Sequence, residues 1–153
     1  MLRVIVAGLH LLGLGLGLGA VLTRGNVLRE ELTPQSLKRA FSADTLWGLA
    51  AALWVITGIW RLVKLEKGPD YYFANHFFIA KMSLFVVILL LEAWPMIVLI
   101  RWRSALRRGL NVQELAPTGT AKRIATISHV EALLVVLMVF FAAAMARGYG
   151  YSG

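Results

Sequence analysis

Cysteine is absent from the 153 residues, which excludes a disulfide, a thiolate-held iron–sulfur cluster and covalent c-type haem attachment. Charge is scarce too, at 16% of the chain where roughly a quarter is usual. Negative charge is scarcer still: eight Asp and Glu stand against sixteen Lys and Arg, a net +8. No long low-complexity segment is present, and the length leaves room for one domain with no separate soluble core. What fills the chain is apolar, with 59% hydrophobic residues and a mean hydropathy of +0.72. That is the composition of a membrane protein. The basic surplus sits in connections beside apolar runs, where anionic lipid, and not nucleic acid, is the partner it implies.

Four apolar runs have the roughly 20-residue length that crosses a bilayer: Val4–Thr23, Thr45–Val63, Phe77–Ile100 and Ile124–Ala146. The expected fold is therefore an all-α, four-helix bundle that spans the membrane. The first run is too long for the apolar part of a cleaved leader and holds His10 inside it, so it reads as a span. Arg24, Arg29, Lys38, Arg39, Arg101, Arg103, Arg107, Arg108, Lys122 and Arg123 flank the spans on one side. Arg3, Arg61, Lys64, Lys67 and Arg147 flank them on the other. The two-to-one bias places the first and third connections in the cytoplasm and both termini outside.

The third run, FFIAKMSLFVVILLLEAWPMIVLI, carries Lys81 and Glu92 in otherwise apolar sequence. At ~100° per residue the two charges fall within about 20° of each other, with Phe85 and Ile88 between them. Ionisable groups in a span face other helices or a cavity, so this stripe is expected to face protein. Pro95 is expected to kink the same helix. In the first run, VIVAGLHLLGLGLGLGAVLT, His10, Gly13 and Gly17 share a helical face that a second helix or a flat ligand could approach. Gly13/Gly17 and Gly15/Gly19 equally fit small-residue helix packing. In the fourth run His129 and Glu131 point in opposite directions, so only one can face the interior and the other must reach the headgroups.

The connections carry weaker signals. Thr33-Pro34 reads as the start of a short amphipathic helix with Leu37, Ala40 and Phe41 on its apolar side, lying at the membrane surface before the second span. Trp47 and Trp60 fit the interfacial belts, and Trp54 the core. Gly68-Pro69-Asp70 signals a turn, followed by Tyr71, Tyr72 and Phe73 at the interface and a solvated His76.

Set at depth, the charges form two layers. His10, Lys81 and Arg61 share one level near the outer surface, while Glu92, His129 and Glu131 lie in the opposite half. The first layer is cationic with an imidazole, and haem b suits it physically: His10 as metal ligand, Gly13 and Gly17 admitting the ring, and Arg61 and Lys81 meeting propionates. Lys81 could instead ligate the iron trans to His10, or snorkel to lipid phosphate.

The motifs TLWGLAAALWVITGIWRLV, EKGPDYYFANHFFIAK, LIRWR and the terminal MARGYG resemble a small bacterial family of four-span membrane proteins that carries no established activity. More distantly, AGLHLLG and FFIAKMSLF resemble the membrane four-helix protoporphyrinogen IX oxidase, and the chain also resembles copper-resistance membrane domains. The oxidase likeness implies key roles for His10 and Lys81 with haem b, and a Val130-Glu131-Ala132 start that turns Glu131 inward. The chain departs from the oxidase in having Glu92 and Trp94 where that family has a histidine after the span-three leucines. Together these readings give an expected haem b protein with a quinone or porphyrinogen as redox partner, Lys81 as a catalytic residue, and Glu92 and Glu131 moving protons. Two other classes fit the same residues: a metal or proton transporter, and a non-catalytic assembly subunit, alone or as a homo-oligomer. The five methionines show no paired-ligand spacing, which counts against a metal path.

Overall fold

The computed structural model describes residues 1–65 and 73–150. The turn at Gly68-Pro69-Asp70, Lys67, and Tyr71 and Tyr72 lie outside the described residues. Four long helices carry the chain: α1 (Leu2–Val27), α2 (Pro34–Trp60), α3 (His76–Arg107) and α5 (Thr118–Ala146), with a single short turn of helix, α4 (Val112–Leu115), between the last two. α2 runs on into a π-helical turn, Arg61–Leu65. All four long helices are apolar and long enough to cross a membrane, and the fold is an all-α bundle.

The helices are longer than their apolar runs, and that changes the meaning of their ends. α1 continues past Thr23 through Arg24 to Val27, because nothing in RGNV breaks a helix. Thr33 caps α2 as expected: its hydroxyl accepts from the Ser36 amide at 3.1 Å, Ser36 Oγ accepts from the Thr33 amide at 2.8 Å, and Pro34 takes the first helical position. The expected surface helix is not a separate element. Leu37, Ala40 and Phe41 continue at helical spacing into Asp44 and Trp47, so the stripe keeps facing the bundle and all three are buried. They pack with Val27, Leu99, Trp102 and Ile124, where membrane-surface packing was expected. Trp47 is likewise core, 8% exposed, and not part of an interfacial belt; Trp60 is exposed.

α1 is the centre of the packing. It lies along α2 on one side and α5 on the other, α5 lies along α3, and α2 and α3 scarcely meet. Its glycines explain the closeness. A Cβ on Gly13 would stand 3.3 Å from Ala50 O and Trp54 N, one on Gly17 3.1 Å from the Trp47 ring, and one on Gly25 2.7 Å from the His129 ring. Gly15 and Gly19 have nothing within 4 Å. One of the two small-residue patterns is thus used for packing and the other faces away.

Asn75 joins the chain's end to the bundle. Its Oδ1 caps α3, accepting from the Phe77 and Phe78 amides at 3.0 and 3.3 Å, while its Nδ2 donates to Tyr149 O at 3.0 Å. The His76 amide donates to Gly150 O at 2.9 Å, and the His76 ring is exposed, as expected.

Candidate functional site

Two apolar clusters fill the bundle, one around Leu37, Leu99 and Ile124, the other around Val21, Ile88 and Met138. Between them lies a layer of charge contributed by all four long helices. Its centre is Arg24, whose side chain is 0% exposed. Every guanidinium nitrogen of Arg24 is used: Nε donates to Ser128 Oγ at 2.9 Å, Nη1 to Asp44 Oδ1 at 2.8 Å and Glu92 Oε1 at 2.7 Å, and Nη2 to Glu92 Oε2 at 2.7 Å and Glu131 Oε2 at 2.8 Å. Ser128 passes the chain of bonds on, donating to Ile124 O at 2.9 Å. The planar fork of arginine suits this task, and a lysine ammonium could not reproduce it.

The charges in this layer do not cancel. Three carboxylates, if all ionised, face one buried guanidinium. The next cation, Arg103 Nη2, is 4.0 Å from Asp44 Oδ2 and its side chain is 31% exposed. Glu131 is 0% exposed, and its second oxygen, Oε1, is buried with no hydrogen-bond partner. An unpaired charge in a low-dielectric interior is costly, so the layer has a place for an added positive charge.

Glu92 and Glu131, expected as partners in one layer, are brought together here, and Glu131 is the inward residue of its pair. His129 does not reach the headgroups. It is half-buried at the α1–α5 seam, with Nδ1 2.6 Å from Ala125 O and Nε2 3.0 Å from Asn26 Oδ1. Arg24 and Asp44 stand one residue beyond the apolar runs that end at Thr23 and begin at Thr45, so hydropathy assigns them to the connection. A sequence signal for them exists: His10, Gly17 and Arg24 repeat at seven residues along one stripe of α1, and Leu37 and Asp44 do the same on α2.

The other expected layer, about 21 Å away along α1, gathers around a cavity of about 510 Å³ whose lining includes His10, Arg61 and Lys81. The Thr57 hydroxyl donates to Leu53 O at 2.7 Å and so accepts from His10 Nδ1 at 3.0 Å, which fixes the proton on Nδ1. The imidazole stacks on the Trp54 indole, with centroids 5.2 Å apart and planes 17° from parallel. Lys81 Nζ lies 5.3 Å from the centroid of the same indole.

These contacts test the haem expectation. Trp54 covers the imidazole face of His10 and packs its backbone against Gly13. Gly13 and Gly17, expected to admit the ring, are taken up by the close approach of α2. The glycine face expected to admit haem b is closed by α2, and no chemistry is derived through that group. The Lys81 ammonium is engaged as a cation over an aromatic face.

Trp54 also separates this cavity from a second, of about 320 Å³, which lies where α2 and α3 stand apart and has Asp44 and Glu92 in its wall. Among the described residues no group of three or more His, Cys, Asp or Glu is arranged to hold a metal ion.

No curated protein and no solved structure matches the chain, so the likeness to the four-helix oxidase finds no support there. A family profile does match, over residues 2–150: the chain belongs to the family described as predicted membrane protein DUF2214.

Proposed function

We propose that the protein is a proton-exchanging carrier of the bacterial inner membrane, with the Arg24 layer as its exchange site. The observation that carries this reading is the charge imbalance: three carboxylates converge on one saturated guanidinium inside an apolar bundle. Intramembrane carboxyls that face the interior mark proton relays and ion paths. A proton on Glu131 Oε1 displaces no hydrogen bond, since that atom has none. Release of the proton leaves negative charge that the layer must compensate with another cation, and this is the coupling a carrier needs. Asp44 and Glu92 connect the layer to the α2–α3 cavity, while the apolar cluster around Leu37 and Ile124 closes its other side.

The test is proton movement in vesicles. Protein reconstituted with an internal pH dye is expected to carry protons when a potassium diffusion potential is imposed, and Glu131→Gln to lose that flux. Flux no greater than in protein-free vesicles overturns the reading. So does a Soret band in protein from haem-sufficient cells that His10→Ala abolishes, which would favour a porphyrin instead.

A further inference from the structure

The α2–α3 cavity has a lining that selects a chemical class. Its walls are apolar and aromatic, with Trp47, Trp54 and Phe85 among them, and Asp44 and Glu92 stand in the same lining. The carboxylate side chains are 12% and 16% exposed, so they are within reach of an occupant, while the Arg24 that neutralises part of their charge is fully buried behind them. α2 and α3 approach each other less than the other adjacent long helices do, and the cavity lies between them. A neutral apolar molecule would leave the charge imbalance as it is, and an anion would worsen it. A hydrophilic cation would pay to leave water for apolar walls. A large, poorly hydrated organic cation gains on both counts, and aromatic faces add attraction for it.

We propose that the α2–α3 cavity binds lipophilic organic cations, such as aromatic or quaternary ammonium and phosphonium compounds, and that binding releases a proton from the Arg24 layer. This rests on the carrier reading above and names the solute that the proton is exchanged for. The groups that set the charge around the bound cation are Arg24 on α1, Asp44 on α2, Glu92, Arg103 and, over the Trp54 ring, Lys81 on α3, and Glu131 on α5. The volume is of the order that accepts a drug-sized molecule, roughly 300–1,000 Å³.

Tetraphenylphosphonium and tetraphenylborate have the same shape and opposite charge, so together they separate recognition of charge from partition into lipid. With full-length protein in lipid nanodiscs, tetraphenylphosphonium is expected to bind saturably with release of protons in weakly buffered solution, and tetraphenylborate not to bind. Asp44→Asn is expected to weaken binding by about tenfold or more, as loss of one partner in a desolvated charge contact does. Gly48→Trp adds bulk in the cavity without removing a charge. Gly48 lines the cavity, and a Cβ there meets nothing within 4 Å. The indole takes up cavity volume, and saturable binding should disappear. Equal uptake of both ions, or tetraphenylphosphonium binding that survives both substitutions, overturns the inference. No saturable binding by protein that still carries protons in vesicles overturns it as well and leaves the carrier reading standing; loss of proton flux in the wild type removes that reading first.

Discussion

Arg24 and Glu92 lie 68 positions apart and meet through two parallel hydrogen bonds of 2.7 Å, Nη1 to Oε1 and Nη2 to Oε2. This fork joins α1 to α3, two helices that are otherwise bridged through α5. Breaking it therefore does more than remove one contact. It leaves carboxylates in the interior without their counter-ion.

Arg24→Ala is expected to destabilise the bundle by about 3–5 kcal/mol, the cost of leaving buried charge uncompensated. Arg24→Lys keeps the charge and loses the fork to Glu92 and the bond to Ser128, so its melting temperature in mild detergent should fall between alanine and wild type. In an Arg24→Ala/Glu92→Gln double variant part of the loss should be recovered, because fewer negative charges remain unpaired. Thermal unfolding of the four proteins checks this, and an alanine variant that melts with the wild type would contradict it.

The glycines of α1 give a prediction with opposite signs on two faces of one helix. Gly25→Ala places a Cβ 2.7 Å from the His129 ring, which is itself held by Ala125 O and Asn26, and should cost about 1–3 kcal/mol as overpacking does. Gly15→Ala and Gly19→Ala meet nothing within 4 Å and should be neutral or stabilising by about 0.5–1 kcal/mol, the helix-interior cost of glycine. The same melting assay reads all three.

Asn75 holds two structures with one side chain, the α3 cap through Oδ1 and the chain end through Nδ2. Asn75→Asp retains the cap and loses the donor to Tyr149 O. Asn75→Ala loses both, and should cost about 1–2 kcal/mol from the cap alone. Limited proteolysis of the C-terminal residues is expected to speed up in both variants, while the melting temperature drops chiefly in Asn75→Ala.

Much of this fold is written in apolar periodicity. The four spans, the inward stripe of Lys81, Phe85, Ile88 and Glu92 and the Thr33-Pro34 cap follow from spacing alone, whereas the inward turn of Glu131 comes from the resemblance. The centre of the charge layer does not, for a physical reason. Hydropathy marks where a run of apolar residues ends, and Arg24 and Asp44 stand where two runs end, although the helices continue through them. A guanidinium there looks like a flank residue until three carboxylates from other helices are seen to meet it. Trp54 shows the complementary limit. Its mid-span position identifies a core residue, but only the stacking on His10 reveals that it occupies the space where a flat ligand was expected.

The account stands on an exchangeable proton in the Arg24 layer, and infrared difference spectroscopy observes such a proton directly. Protein in lipid nanodiscs, compared at acidic and alkaline pH, should show the C=O stretch of a protonated carboxyl that disappears as the pH rises. The band should be missing in Glu131→Gln. A spectrum with no titrating carboxyl in the wild type, or one that Glu131→Gln leaves intact, would contradict the claim that this layer exchanges a proton at Glu131.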